Sequence, residues 1–280
     1  MGIKIITDNC CDLPADVISR YNLGIVNMLV RFGDREYQPG ELTNSDFYGL
    51  MRQTTELPTT TQPTVEEMMK TYQDALADGS DVIAIHLSSG ITGTVQSANL
   101  VADMIGNPRL HIIDSQKASV GLGLLAVNAA RMAEAGAEVS AILSRLQEMQ
   151  RTMQCMFSVG NLEYLVKGGR ISRAKGLVAG VLDIKPILYF DSEGYIMPYD
   201  KVRGNKAAQK KLIDIMGKLG SNLENQTVGV NHSDHPEHAE YLKEAIIEHF
   251  GVKEVIIGEI GPVIGSHVGP GTFSVFFETA

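Results

Sequence analysis

The segment richest in chemically useful groups is Ser88–Thr94 (SSGITGT). An apolar run typical of a buried strand precedes it, and a helical pattern follows it. At a helix N-terminus, unpaired N–H groups and the helix dipole both favour an anion, and neighbouring hydroxyls can donate further hydrogen bonds. The segment therefore predicts an anion site. The alternative is that Thr92 or Thr94 only caps the helix.

A second group of hydroxyls lies in Pro58–Pro63 (PTTTQP), just before a helix whose start is marked by Thr64 and Glu67, a capping-box pair. Taken alone, three threonines between prolines are typical of an ordinary turn. Two hydroxyl clusters at neighbouring strand ends would instead converge on one ligand. A neutral pocket rich in hydroxyls suits a carboxylate held by short O–H···O⁻ bonds.

Two basic segments could recognise anions. Arg170 follows Lys167-Gly168, which reads as a helix C-terminus, and its guanidinium could bind phosphate or carboxylate in a bidentate fork. An inter-domain salt bridge is the alternative. The run Lys201–Lys206 (KVRGNK) is either a solvated helix start or a surface that receives an acidic or phosphorylated partner.

The histidines offer less specific chemistry. His267 lies in the glycine-rich stretch 265–272, where it could donate to a carboxylate or act as an acid or base, although a lone histidine is more often structural. The triplet His232, His235, His238 suggests a metal. Pro236 starts a helix inside it, so we expect only His235 and His238 to share a face, without a carboxylate to complete the set. The sequence predicts no metal site.

Common catalytic signatures are missing. The chain has no GxxxxGK[ST] loop, no GxGxxG after a strand, no GxSxG elbow and no HExxH. Asp8, Asp12 and Asp114 follow predicted strands but show no paired-carboxylate pattern. We therefore predict no catalytic residue.

The elements that must position these groups alternate strand and helix in the first half of the chain. That order predicts a parallel sheet covered by helices on both faces, an α/β/α arrangement whose ligands gather at the carboxyl ends of the strands. The second half differs, because Tyr189–Pro198 indicates an antiparallel hairpin. It predicts an α+β domain with a mixed sheet. We place the boundary between residues 1–157 and 158–280.

Composition narrows the function. The chain has 280 residues and a formal net charge of −9, which argues against nucleic-acid binding, because phosphates require a basic surface. No apolar run reaches the ~18 residues of a spanning helix, so stable membrane insertion is not expected. The three cysteines, Cys10, Cys11 and Cys155, fit no disulfide framework and are expected to be buried thiols. With no signal-peptide pattern at the start, we expect a cytoplasmic protein.

The chain resembles the DegV family. The resemblance rests on eight segments that occur in the family's order along the whole chain: Ile3–Leu13, Thr60–Pro63, Ser88–Thr94, Asp114-Ser115, Lys167–Ser172, Lys185–Leu188, Lys201–Gly204 and His267–Gly271.

The resemblance implies a two-domain fold that binds a long-chain fatty acid without a cofactor and is not an enzyme on its own. In members that serve fatty-acid kinases it also implies presentation of the acid to a separate ATP-using kinase subunit, a step in phospholipid metabolism. Matched by motif, Thr60 and Thr92 would bind the carboxylate, with Thr61, Gly93 and His267 as close neighbours.

Arg170, Lys201 and Arg203 match basic positions of the family that could face the activated carboxylate or the partner. The chain departs from the family where serine is usual, at Thr61 and Thr92, and in the first motif at Asn9, Cys10 and Cys11. The competing hypothesis is an enzyme acting on a small phosphorylated or carboxylated metabolite, with His267 as acid or base and Arg170 holding the anion. A regulatory ligand sensor is a weaker third hypothesis.

Overall fold

In the computed structural model, which describes residues 2–171 and 183–280, the first apolar runs form a four-stranded parallel sheet. Its strands are β1 (Ile3–Asp8), β2 (Gly24–Val26), β6 (Asp81–His86) and β7 (Leu110–Asp114), in the order β2-β1-β6-β7. Because all four run parallel, their carboxyl ends meet at one edge.

Helices cover both faces of this sheet, as predicted. They are α1 (Ala15–Arg20), α3 (Val65–Leu76), α4 (Thr94–Ile105), α5 (Val120–Glu134) and α6 (Val139–Thr152). The side chains of α3 and α4 pack on one face, against Ile6, Val82 and Ala84. Helix α5 packs on the other face, beside Ile5 and Ile83. The predicted α/β/α layering is confirmed.

One predicted strand is in fact two. The apolar run Gly24–Phe32 predicts one continuous strand, but β2 ends at Val26 and β3 (Leu29–Phe32) begins a separate sheet. The side chain of Asn9 pins the intervening Met28, accepting from its N–H at 3.0 Å and donating to its carbonyl at 2.9 Å. Glu67 accepts from the Asn27 N–H at 2.9 Å. The carboxylate of the expected capping box therefore bonds a distant loop, while Thr64 still caps α3.

The separate sheet is small and antiparallel. It contains β4 (Arg35–Tyr37), β3 and β5 (Thr59–Thr61) in that order, and α2 (Asn44–Gln53) lies between β4 and β5 in the chain. Its importance for function is that β5 carries Thr60, paired with Val30 of β3.

The second half forms a six-stranded mixed sheet. Its strands are β8 (Met153–Ser158), β9 (Ile184–Phe190), β10 (Ile196–Arg203), β11 (Thr227–His232), β12 (Glu254–Glu259) and β13 (Phe273–Glu278), in the order β10-β9-β8-β13-β11-β12. The β9–β10 hairpin matches the predicted one, and β11–β12 is the parallel pair. Helices α7 (Glu163–Lys167), α8 (Asn205–Leu219), α9 (Pro236–Phe250) and α10 (Pro262–Val268) complete the described elements.

The side chains of β13 alternate between the two faces of the six-stranded sheet and so contact two different hydrophobic cores. Phe273, Val275 and Phe277 face the core formed with α8 and α9, whereas Phe276 faces the larger core that includes α5. Helix α5 thus packs against both β1 and β11, between the two sheets. Strand β8 crosses the predicted boundary at 157/158, and it is hydrogen-bonded within the second sheet. No helix in the described part of the chain is long and apolar enough to span a membrane.

A buried relay lies beneath the carboxyl ends of β1 and β6. The Tyr72 hydroxyl is 2.6 Å from His86 Nε2, and His86 Nδ1 is 2.6 Å from Asp8 Oδ1. The second Asp8 oxygen accepts from the Leu87 N–H at 2.6 Å. None of the three side chains is exposed, so each polar group depends on the next for its hydrogen bond.

We expect Tyr72→Phe to lower the free energy of unfolding by about 1–3 kcal/mol, because it leaves His86 Nε2 buried and unpaired. Urea denaturation measures the change. Tyr199→Phe removes a hydroxyl from a tyrosine that is 41% exposed and is the control, with an expected change within ~0.5 kcal/mol. Equal effects of the two substitutions would show that the relay contributes nothing.

Candidate functional site

An apolar cavity lies against the six-stranded sheet, between it, α10 and the segments that follow β6 and β7. The space inside it, counted together with the open solvent at its mouth, is about 680 Å³. Its walls are largely apolar, with side chains that include Leu87, Phe157, Leu165, Phe190, Ile264 and Phe276.

The cavity opens into a polar cleft. The space in the cleft, open solvent included, is about 1140 Å³, and the residues that line it include Thr61, Gln62, Gly93 and Gln96. Five residues line both spaces: Met28, Thr60, Ile91, Thr92 and Arg170. The two predicted hydroxyl clusters therefore converge where an apolar interior meets a polar opening.

Thr60 and His267 are joined directly, although 207 positions separate them in the chain. Thr60 Oγ1 lies 2.8 Å from His267 Nε2. The small sheet supplies Thr60 through β5, and α10 supplies His267. Both line the apolar cavity, so the contact forms part of its mouth.

The second ring nitrogen of His267 is buried and has no hydrogen-bond partner among the described residues. Gly168 lies against it so closely that a β-carbon there would be 2.8 Å from Nδ1. Burial, and then the positive charge of Arg170, lower the pKa of His267 to about 4. The imidazole is therefore neutral near pH 7 and carries one proton.

Other side chains hold the Ser88–Thr94 loop in place. Ser88 Oγ donates to the Gly194 carbonyl at 2.8 Å, and Ser89 Oγ donates to Asp114 Oδ2 at 2.5 Å. Gly194 permits this approach, since a β-carbon there would be 2.0 Å from Ser88 Oγ and its φ is +78°. The hydroxyls of Ser88 and Ser89 thus hold the loop in place, and Thr92 of the same loop lines the cleft.

The start of α4 favours the anion-site interpretation over simple capping. Gly93 is the N-cap, and no side chain in the described part of the chain caps the helix, although Thr92 and Thr94 are both nearby. Their hydroxyls bond each other instead, with an Oγ1–Oγ1 distance of 2.9 Å. The first amides of α4 therefore remain available beside Gly93 and Gln96, which line the cleft.

Arg170 is anchored through carbonyls. Its Nη1 donates to the Gly168 carbonyl at 2.6 Å and its Nε to the Ile91 carbonyl at 3.3 Å. Within residues 2–171 and 183–280 it makes no ion pair, so the alternative of an inter-domain salt bridge is not formed there. Burial lowers its pKa from the ordinary range, and the charge faces the mouth. Ser172, which closes the family motif, lies outside the described residues.

Lys201 and Arg203 lie apart from this cluster. Both are exposed on β10, the edge strand of the six-stranded sheet. Neither lines the apolar cavity or the polar cleft as described. Their predicted role is therefore confined to contact with a partner.

The histidine triplet is arranged differently from expectation. The metal-ligating atoms of His235, Glu237 and His238 lie within 4.8 Å of one another, so a carboxylate does stand beside the two histidines. The sequence missed it because Glu237 follows Pro236 in the first turn of α9, where the chain folds back toward His235. His235 Nδ1 already contacts Glu237 at 2.9 Å. The absence of a metal stays a prediction.

The first motif has a positioning role that its sequence did not reveal. Asn9 fixes the backbone of Met28, and the Cys10 thiol lies 3.4 Å from Met28 Sδ. Met28 in turn lines both the cavity and the cleft. All three cysteines are free and buried, as predicted, and burial raises the pKa of the Cys10 and Cys155 thiols.

Sequence reasoning also missed a polar group in the cavity wall. Ser119 and Asn231 line the cavity and bond each other, and Ser119 donates to Asp12. Burial raises the pKa of Asp12 to about 7. The only available signal was one asparagine in the apolar strand β11.

The chain is similar to known proteins along almost its whole length. Residues 2–280 match the model of a family described as "Uncharacterised protein, DegV family". A DegV domain-containing protein of Caldanaerobacter subterraneus is 35% identical, with 99% of this chain and 98% of that protein aligned. A fatty acid-binding protein of Thermotoga maritima is 33% identical, with 99% and 98% aligned.

Among solved structures, the chain is similar to a fatty-acid-binding DegV family protein of Thermus thermophilus. The two share 30% sequence identity and superpose with a TM-score of 0.92, and the alignment covers 100% of each chain.

The depressed pKa of His267 predicts a pH dependence of stability. In the unfolded chain the imidazole takes up a proton below about pH 6.5, but in the folded protein only below about 4. Stability from this group is thus complete above ~6.5 and falls between ~6.5 and ~4, by no more than about 3 kcal/mol.

Denaturation of the wild type and of His267→Gln across this pH range measures the contribution. Glutamine keeps a polar group but cannot take up a proton, so the variant is expected to lose less stability on acidification. Parallel curves for the two proteins would contradict a buried, neutral His267.

Proposed function

Since the chain belongs to the DegV family, we propose that it binds a long-chain fatty acid and presents the carboxylate to a separate ATP-dependent kinase. The observation that carries the proposal is the convergence of Thr60, Thr92, His267 and Arg170 at the mouth of an apolar cavity. Relatives that align over nearly the whole chain are described as fatty-acid-binding proteins.

The cavity suits an acyl chain on physical grounds. Each CH₂ group transferred from water to an apolar wall stabilises the complex by about 0.8 kcal/mol. The charged carboxylate must stay hydrogen-bonded, because burying it without partners is far more costly. A cavity that is apolar inside and polar at one opening meets both requirements when the acyl chain lies inside and the carboxylate lies at the opening.

The state of His267 determines how Thr60 acts. If Nε2 carries the single proton, it donates to Thr60 Oγ1, and the threonine hydroxyl is then free to donate to a carboxylate. If Nδ1 carried it, Thr60 would donate to Nε2 and lose its donor. A carboxylate ligand therefore selects the first tautomer, in which His267 orients Thr60 and Thr60 holds the acid.

Further groups would complete the carboxylate site. Thr92 would donate its hydroxyl, and the uncapped amides of α4 and the Arg170 guanidinium would supply positive potential. Thr61 and Gly93 line the adjacent cleft. A β-carbon at Gly93 would be 2.6 Å from Gln62 Nε2, so a larger residue there would require the Gln62 side chain to move. No cofactor is needed for binding.

The structure gives less support to an enzyme acting on a small metabolite. Because the pKa of His267 is about 4, its imidazole has almost no imidazolium proton to donate at neutral pH and is only a weak base. The large apolar wall would also have no role with a small polar substrate. Within the described chain, no carboxylate is placed to orient His267 as a catalytic base.

Presentation to a kinase would use the open cleft. A carboxylate at Thr60 and Thr92 would lie at the junction with the polar opening, where a second protein could reach it. Lys201 and Arg203 would then contact acidic groups of that partner from β10. We place this encounter in the cytoplasm, where free thiols remain reduced.

We expect Thr60→Val and Thr92→Val each to weaken fatty-acid binding by about 10- to 100-fold, because each removes a charge-assisted hydrogen bond. Displacement of a fluorescent fatty acid from the delipidated protein measures affinity. Thr60→Ser should bind as the wild type does. Thr59→Val, an exposed neighbour on β5, is the control. Unchanged affinity in both valine variants would refute the site.

We expect Lys201→Glu/Arg203→Glu to reduce kinase-dependent acyl-phosphate formation about tenfold or more while leaving fatty-acid content unchanged, since rim charges mainly govern encounter. The assay combines the loaded protein, the kinase subunit and ATP. The control is Lys218→Glu/Lys253→Glu, which makes the same change in charge at exposed positions outside β10. Equal losses in the two double variants would rule out a specific contact.

A further inference from the structure

A second polar surface lies inside the apolar cavity. Ser119, Asn231 and Ser274 all line the cavity but not the polar cleft, so they lie deeper than Thr60 and Thr92. All three are buried, with 4%, 1% and 3% of their surface exposed. Polar side chains in such a wall are costly unless they have partners.

Asn231 and Ser274 are cross-strand neighbours. They are paired in the register of β11 and β13, and their side chains point to the cavity face of the sheet. Side chains in that relation have β-carbons about 4.5–5.5 Å apart. One small group of a ligand can therefore reach both.

A hydrogen-bond network determines which atom of Asn231 is free. Asn231 Nδ2 donates to Ser119 Oγ at 2.7 Å, and Ser119 Oγ donates to Asp12 Oδ2 at 2.5 Å. Asp12 Oδ1 accepts from the Gly261 N–H at 2.9 Å. The network orients the amide, so that Oδ1 is the acceptor left over.

That acceptor is unsatisfied. Asn231 Oδ1 is buried and has no hydrogen-bond partner among the described residues. Ser274 Oγ makes no hydrogen bond within residues 2–171 and 183–280 either. Thr272, also in the wall, is different because its hydroxyl donates to the Val268 carbonyl at 3.1 Å. Native proteins leave few buried polar atoms unpaired, so Asn231 Oδ1 points to a group supplied by the ligand.

The backbone of Ser119 is strained, which indicates that its hydrogen-bonded position in the cavity wall is held by the contacts around it. Its φ is +54° and its ψ is −139°, a conformation that a residue with a side chain rarely adopts. Such strain persists where surrounding contacts impose it, here the bonds from Asn231 and to Asp12.

We propose that Asn231 and Ser274 form a subsite for a hydroxyl group on the acyl chain, so that the ligands include hydroxylated long-chain fatty acids. The inference rests on the proposed fatty-acid binding and names a substrate class for it. A hydroxyl is complementary because it can donate to Asn231 Oδ1 and accept from Ser274 Oγ. A ketone could not donate, and an amine would bring an uncompensated charge.

The affinity for a hydroxylated acid would depend on where along the acyl chain the hydroxyl lies. A hydroxyl opposite Asn231 and Ser274 gains both partners. The same hydroxyl elsewhere would face Phe157, Phe190 or Phe276 and remain unpaired, which is costly. An unsubstituted chain would leave Asn231 Oδ1 against a methylene.

The test compares octadecanoic acid with a series of hydroxyoctadecanoic acids whose hydroxyl moves along the chain. Each competes with a fluorescent fatty acid for the delipidated full-length protein. We expect one position, or two adjacent ones, to bind about tenfold tighter than octadecanoic acid. Asn231→Leu should abolish this preference while still binding octadecanoic acid.

Ser158→Ala is the matched control, because Ser158 is buried in β8 and paired with Phe273, which faces the core on the other side of the sheet. It should leave the preference unchanged. Ser274→Ala provides a second variant if Asn231→Leu does not fold, and the wild-type series is decisive without either.

Weaker binding of every hydroxylated isomer than of octadecanoic acid would overturn the subsite while leaving fatty-acid binding intact. A preference that survives both Asn231→Leu and Ser274→Ala would also overturn it. Failure of octadecanoic acid and of every isomer to bind would instead refute the proposed function, and with it the subsite.

Discussion

The hydrogen bond between Thr60 Oγ1 and His267 Nε2 joins two parts of the chain that meet only in the folded protein. Thr60 depends on β5 and the small antiparallel sheet, and His267 depends on α10. The contact forms part of the mouth of the apolar cavity. It also determines whether the threonine hydroxyl can donate its proton to a ligand. Burial of Nδ1 against Gly168, together with the charge of Arg170, keeps the imidazole neutral and so maintains this arrangement.

The other side of the mouth depends on contacts between the two halves of the chain. The Ser88–Thr94 loop belongs to the parallel sheet, but the turn of the β9–β10 hairpin holds it through Gly194 and Ser88. Asp114 holds the next residue from the neighbouring strand end. The buried relay of Asp8, His86 and Tyr72 supports the same loop from below through the Leu87 amide. The position of Thr92 thus depends on hydrogen bonds from both halves of the chain.

Local patterns were sufficient to predict the layered fold, both hydroxyl clusters and the hairpin, because periodicity and turn residues are visible in sequence. Long-range contacts were not visible. The break between β2 and β3 arises from Asn9 and Glu67, which bond Met28 and Asn27 from elsewhere in the chain. Asn231 and Ser274 become neighbours only through strand register. Glu237 reaches His235 only through the turn that opens α9.

The central claim is that the cavity and its polar mouth hold one fatty acid. Native mass spectrometry of the protein purified without detergent, followed by identification of the released lipid, tests it most directly. We expect a single long-chain fatty acid per protein molecule, largely lost from a Thr60→Val/Thr92→Val variant that remains folded. Folded wild-type protein that carries no fatty acid, and takes none up when it is supplied, would show that the cavity does not bind one.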